Sequence, residues 1–219
     1  PFERVGNAVK AATELGLIYN IAICTASEDD EEYKKIYDQL LQITDKANIR
    51  VAITYPVGRA KQIEGALSYN ISSSPSQSAC SMSGTPVIFP NGDVIGCIGP
   101  IMDIHPPHPL FLGNLRQEPL ANILDKAETN MMLHAIRIWG PRILVEWLRE
   151  YGFDNELPKE FIEDSICDIC HQLFSRPDIL HALQEISWNP DITTKIAYGR
   201  VYYLQESSMV ERLTRMEQS

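Results

Sequence analysis

The sequence has no excess of basic residues, no long apolar run and no amino-terminal export signal. Its 19 lysines and arginines are outnumbered by 29 aspartates and glutamates, so the formal net charge is −10. Nucleic-acid backbones are bound by stripes of basic residues, and a membrane-spanning helix needs about 20 consecutive apolar residues. We therefore expect neither a nucleic acid nor a membrane among its partners, and we expect a cytoplasmic protein.

Cysteine is scarce but unevenly distributed. The five cysteines are Cys24, Cys80, Cys97, Cys167 and Cys170. In the cytosol disulfides are rare, and clustered cysteines more often bind a metal or act in catalysis. The two residues between Cys167 and Cys170 allow both sulfurs to face one ion. Cys24 lies within an apolar run typical of a buried strand, so its predicted role is that of a small hydrophobic residue.

A predicted β-hairpin lies between Cys80 and Cys97. Residues 87–89 and 94–97 are β-prone and are separated by Pro-Asn-Gly-Asp, and Asn-Gly is the strongest short hairpin signal. The hairpin would bring Cys80 near Cys97. Together with the later pair, these thiols could hold either a [4Fe–4S] cluster or a structural zinc ion, since both take four thiolates. A third interpretation is that they are simply core residues, or that only the close pair matters.

The first third of the chain alternates helix and strand. Helical spacing is found over residues 2–15 and 33–44, and β-prone runs over 17–27 and 48–55. This order predicts parallel strands joined by crossover helices, an α/β layer or barrel. A serine-rich stretch at 68–79 is typical of a linker, and the remainder is mostly helical, including one helix predicted over 119–139.

Four segments together resemble a known family. They are "TYPVGRAK" (54–61), "CSMSGTPVIFPNGDVIGC" (80–97), "HPLFLGNLRQEPLANIL" (108–124) and "CDIC" (167–170). In the order and composition of these segments, the chain resembles the C-terminal part of a radical S-adenosylmethionine (radical SAM) enzyme with a SPASM or twitch auxiliary-cluster domain. The resemblance extends over most of residues 1–175. The resemblance implies an α/β fold in three parts. The last β/α units of a partial (β/α) barrel would occupy 1–70, a small hairpin-plus-helix cluster domain 71–175, and a helical segment 176–219.

The resemblance also implies a site. Cys80, Cys97, Cys167 and Cys170 would be the ligands of one auxiliary [4Fe–4S] cluster, as in the shorter twitch variant. Arg59 would lie near the barrel mouth or S-adenosylmethionine, unless it simply ends a surface loop.

Other side chains near the cysteines are not predicted to be ligands. His171, which follows Cys170, is expected in a supporting or packing role. Asp164 and Asp168 are expected to point outward, away from an anionic cluster. No catalytic residue is identified.

The family's defining C-x-x-x-C-x-x-C loop, which holds the cluster that cleaves S-adenosylmethionine, does not occur in this sequence. The chain begins with Pro1, and we expect it to be part of a longer enzyme and inactive by itself. In the full-length enzyme, a second [4Fe–4S] cluster would cleave S-adenosylmethionine to a 5′-deoxyadenosyl radical. The auxiliary cluster would transfer an electron or position the substrate.

The resemblance implies a peptide or small-molecule substrate and a reductant such as flavodoxin or ferredoxin. The alternative function is a non-catalytic interaction domain stabilised by zinc.

Overall fold

The computed structural model of the protein describes residues 2–210, apart from the side chains of residues 63–66. The chain divides into two compact units, Pro1–Asn70 and Ile71–Ser219. The fold is mixed α and β with three small sheets, and within the described ranges none of them closes into a barrel. No helix in that part of the chain combines the length and the apolar character needed to cross a membrane.

The first unit is built on a β–α–β arrangement. Its elements are α1 (Phe2–Glu14), β1 (Ile21–Thr25), α2 (Glu31–Leu41) and β2 (Ile49–Ile53), followed by a 3-10 segment (Gly58–Ala66). Strands β1 and β2 are parallel, with Ile21 opposite Ile49 and Thr25 opposite Ile53. The predicted crossover between parallel strands is therefore confirmed.

Only one face of β1 is covered. Side chains alternate between the two faces of a strand, and Ile23 is buried with Tyr33 and Leu40 of α2. Cys24 points to the other face and is exposed. The prediction that Cys24 is a buried hydrophobic residue is therefore wrong, because the strand is covered on one side and not on both.

The second unit contains the predicted hairpin. Strands β4 (Val87–Ile88) and β5 (Asp93–Ile95) pair antiparallel, and β6 (Phe111–Asn114) adds to β5. Gly92 has a φ of 92° in the turn, as the Asn-Gly signal requires. Asn114 donates a hydrogen bond from its amide to Asp93 Oδ1 at 2.7 Å, which ties the turn to β6. A shorter antiparallel pair joins β3 (Ile71–Ser72) to β7 (Phe161–Ile162).

Among residues 71–210, the described part of this unit, six helices accompany the hairpin sheet, and the first of them packs against β6. They are α3 (Leu120–Glu128), α4 (Met131–Trp139), α5 (Arg142–Glu150), α6 (Ile166–Phe174), α7 (Pro177–Ser187) and α8 (Pro190–Tyr202). The single helix predicted over 119–139 is in fact two, because Asn130 Oδ1 accepts a hydrogen bond from the Leu133 amide at 3.0 Å and starts α4. One core runs through this unit, from Val94 on β5 to Leu183 on α7 and Ile196 on α8.

Candidate cysteine site

The four cysteines singled out by their spacing line one cavity in the second unit. Cys80 precedes a 3-10 turn, Cys97 follows β5, and Cys167 and Cys170 lie on α6. The cavity has a volume of about 20 Å³, and the remaining lining is almost entirely apolar. It is lined by Ser83, Pro100, Ile101, Leu110, Ile136, Pro141 and Ile166. The fold therefore brings thiols that are far apart in sequence to the wall of a single small cavity.

Cys167 and Cys170 share one face of α6, since residues three apart on a helix are neighbours. The helix begins at Ile166, and Ser165 precedes it as the N-cap. The Ser165 hydroxyl caps it by accepting a hydrogen bond from the Asp168 amide at 3.3 Å. Cys170 is buried and Cys167 is half-buried.

The carboxylate of Asp168 is buried, with 3% of the residue exposed. Its Oδ2 accepts hydrogen bonds from the Ile162 amide at 2.8 Å and from Gln172 Nε2 at 2.7 Å. The expectation that Asp168 points to solvent is therefore wrong, because these donors compensate the loss of water. Asp168 joins α6 to β7 and so helps to fix the helix that carries the cysteine pair. Asp164 is exposed, as expected.

Backbone contacts position Cys80 beside the end of α4. The Cys80 amide donates a hydrogen bond to the Ile136 carbonyl at 3.1 Å. Gly140, which follows α4, has a φ of 78°, and a Cβ built there would lie 1.9 Å from the carbonyl oxygen of Ser78. Only glycine therefore allows the segment before Cys80 to pass so close to the end of α4.

Gly99 lies between the two sets of thiols. A Cβ built at Gly99 would be 3.3 Å from Cys167 Sγ and 3.6 Å from Cys97 Sγ. Both sulfurs are thus close to one point, and the distance between them is at most about 7 Å. The Gly99 amide also donates a hydrogen bond to Cys97 Sγ at 3.2 Å. The loop after β5 therefore brings the hairpin and α6 together at their sulfur atoms.

The apolar surroundings raise the pKa of three of the four thiols. Burial raises the pKa of Cys97, partly offset by hydrogen bonds from the Gly99 and Ile101 backbone. Burial, together with the neighbouring Cys97 and Cys80, raises the pKa of Cys167 to about 11. The pKa of Cys170 is raised well above 9 for the same reasons. Because a bound cation is what converts such thiols to thiolates, any metal would bind here with release of protons.

The thiols share a cavity without surrounding one point. Within residues 2–210, no three side chains of His, Cys, Asp or Glu stand where they would hold a single metal ion. The four sulfurs are neighbours, as the mutual effects on their pKa values indicate.

The other predicted site residues lie elsewhere. Arg59 is exposed in the 3-10 segment of the first unit, whereas every residue that lines the cysteine cavity belongs to the second unit. His171 is half-buried on α6 next to Cys170. The exposed Cys24 also belongs to the first unit.

The second unit contains an ionic network, centred on the buried Arg200, that the sequence did not predict. Arg200 on α8 is 1% exposed and forms ion pairs with Glu128 and Glu206. Arg137 donates a hydrogen bond to Glu206 at 2.6 Å and another to His134 Nδ1 at 3.0 Å. These residues come from α3, α4 and α8 and from the segment after α8. Nothing in their local sequence indicates that they meet.

No protein-family model matches this chain, and no curated protein matches it either.

Proposed function

We propose that this chain is the C-terminal part of a radical SAM enzyme and that Cys80, Cys97, Cys167 and Cys170 hold one auxiliary [4Fe–4S] cluster. The observation that carries the proposal is the cavity lined by all four thiols. Four cysteines from three separate parts of the chain line this one apolar cavity, where burial and neighbouring thiols raise the pKa of Cys167 and of Cys170. A shared inorganic centre would account for this grouping.

Zinc would use the same four thiolates, so the cavity by itself suits either centre. The resemblance of the surrounding segments to the auxiliary-cluster family is what favours a [4Fe–4S] cluster, in which each iron takes one cysteine thiolate.

With four protein thiolates available, such a cluster would supply one-electron chemistry and would leave no iron open for a substrate. The residues of this chain would then hold the cluster, exclude water through the apolar lining, and donate hydrogen bonds to its sulfur ligands. The Gly99 amide on Cys97 Sγ is one such donor. Hydrogen bonds to ligand sulfur are among the factors that set cluster potentials.

The first unit supports the partial-barrel part of the proposal. Parallel sheets are normally covered on both faces, and two strands are fewer than a stable sheet generally has. Here β1 and β2 are parallel, and Ala22, Cys24 and Ala52 on one face are exposed. The exposed Arg50 lies on the same face, opposite Ala22. A bare face of a parallel sheet is what the inner surface of a partial barrel would present. An upstream gene sequence without a C-x-x-x-C-x-x-C loop would contradict this part.

The cluster is tested by anaerobic purification and reconstitution with iron and sulfide. We expect brown protein with about four irons and four sulfides per chain. Cys170→Ala should lose most of this iron, because it removes one ligand. The matched control is Cys24→Ala, which removes an exposed thiol in the other unit and should retain the full iron content.

The contrary outcomes are distinct. Colourless protein with one zinc per chain would replace the proposal with the zinc-stabilised interaction domain. Protein that takes up neither metal would mean that the cysteines are core residues. If Cys24→Ala lost as much iron as Cys170→Ala, the iron would not be held in the cavity described above.

A further inference from the structure

A second cavity in the same unit is independent of the cysteines. It has a volume of about 420 Å³, within the usual range for a site that binds a small organic molecule. Its walls come from the segment before β6, from the start of α4 and from the end of α7. Among its lining residues are Phe111, Met132 and Trp188, the last of which is 77% exposed.

His108 is the unusual member of this lining. Only 6% of the residue is exposed, and neither ring nitrogen has a hydrogen-bond partner in the described structure. Burial lowers the pKa of His108 to about 4, so the ring is neutral at pH 7 and offers one donor and one acceptor. Buried polar groups are almost always hydrogen-bonded, and an exception calls for an explanation. The Phe111 ring lies edge-on to the imidazole at 6.4 Å and satisfies neither nitrogen.

The cavity is also uncharged. The protein has 48 charged side chains and a net charge of −10. Of the described residues that line this cavity, none is an Asp, Glu, Lys or Arg. The polar groups are neutral and include Asn130 and Gln184. A charged ligand would lose its hydration here without gaining a counter-charge, whereas a neutral one with an aromatic ring would find apolar and aromatic walls.

We propose that this cavity binds an uncharged small molecule that carries an aromatic ring and a hydrogen-bonding group, with the ring against Trp188 and the polar group on His108. Both His108 nitrogens are buried, so the ring would turn about χ2, a broad torsion in histidine, to present one of them to the ligand. The ligand would thereby supply the partner that the imidazole lacks. The site does not depend on the cysteines or on the proposed cluster.

The test uses benzamide as the probe, because it combines a neutral amide with an aromatic ring. Two-dimensional NMR on this chain at pH 7 should show saturable shifts of the Trp188 indole signal, with a Kd on the order of 1 mM for a ligand of this size. Benzoate, of the same shape but negatively charged, should bind at least about tenfold more weakly.

Variants locate the site. His108→Phe keeps a ring of similar bulk and removes both nitrogens, so benzamide affinity should fall about tenfold. Trp188→Ala changes an exposed side chain and should leave the fold intact. It should weaken binding similarly, as followed by the side-chain amide signals of Asn130 and Gln184 in the same cavity, and it maintains the test if His108→Phe fails to fold. The matched control is Tyr203→Ala, since Tyr203 is 70% exposed and does not line the cavity. Absence of benzamide binding at 10-fold the expected Kd, equal binding of benzoate, or unchanged binding by Trp188→Ala would each overturn the proposal.

Discussion

Acidification should destabilise the second unit through His134 on α4, which is 1% exposed. Its Nε2 lies 3.0 Å from the Glu128 carbonyl oxygen and its Nδ1 lies 3.0 Å from an Arg137 guanidinium nitrogen. A carbonyl only accepts and a guanidinium only donates. The imidazole is therefore neutral, with its proton on Nε2. A second proton could be added only at Nδ1, where it would face the donors of Arg137.

The size of the effect follows from the pKa. Burial, together with the charges of Arg200 and Arg137, lowers the pKa of His134 from 6.5 to about 4. Between pH 6.5 and about 4, the unfolded chain therefore binds more protons than the folded protein, and stability falls as the pH falls. This one group should cost about 2 kcal/mol of the free energy of unfolding between pH 7.5 and pH 5.0.

The assay is urea unfolding at both pH values, for the parent protein and for His134→Gln. Glutamine does not titrate, so the loss of stability between pH 7.5 and pH 5.0 should be smaller in the variant by about 2 kcal/mol. The matched control is His181→Gln on α7, where the side chain is 74% exposed. This control keeps His134 in place, so it should retain the loss of stability that is linked to His134. If the loss of stability between pH 7.5 and pH 5.0 differed by less than about 0.5 kcal/mol between His134→Gln and the parent, the reasoning would be refuted.

Two further changes test the packing of the second unit by urea unfolding at pH 7.5. Gly140→Ala should lower the free energy of unfolding by more than about 3 kcal/mol. Its φ of 78° and ψ of 169° are suited only to glycine, and the new Cβ would meet the Ser78 carbonyl. A loss under about 1 kcal/mol would contradict the described backbone. Arg200→Met should cost about 3 kcal/mol, since it leaves the partly buried Glu206 with one of its two arginines. Burial alone would raise the pKa of Glu206, but hydrogen bonds from Arg200 and Arg137 lower it. The stability that these ion pairs provide is therefore lost as the pH falls below about 4.5. The Arg200→Met variant should accordingly unfold in acid at a higher pH than the parent. A variant as stable as the parent at pH 7.5 would contradict the ionic network.

The parts of the fold that sequence patterns predict correctly are those decided by near neighbours. Asn-Gly specifies the hairpin turn through its tolerance of positive φ. Apolar spacing of 3.6 and short β-branched runs place the helices and strands of the first unit. Even here tertiary contacts change the details. Asn130 interrupts a regular helical pattern by capping α4. Residues 111–114 form β6 because β5 offers them an edge, which their own sequence did not indicate.

The errors concern which face of an element is covered. Cys24 lies in an apolar strand that the sequence alone predicts to be buried, and its exposure depends on what packs on each side of the sheet. Asp168 looks like a surface carboxylate until β7 and α6 supply its donors. His108 and Arg200 are ordinary surface residue types, and only the completed core shields them from water.

The sequence by itself determined the candidates: five cysteines, of which two have two residues between them and two bound a predicted hairpin. Only the tertiary structure decided that four of them line one cavity and that the fifth lies in another unit. The physical reason is the range of the interactions. Turns and helix starts depend on hydrogen bonds within a few residues, whereas the meeting of Cys97 with Cys167 depends on how β5, Gly99 and α6 pack after the chain between them has folded.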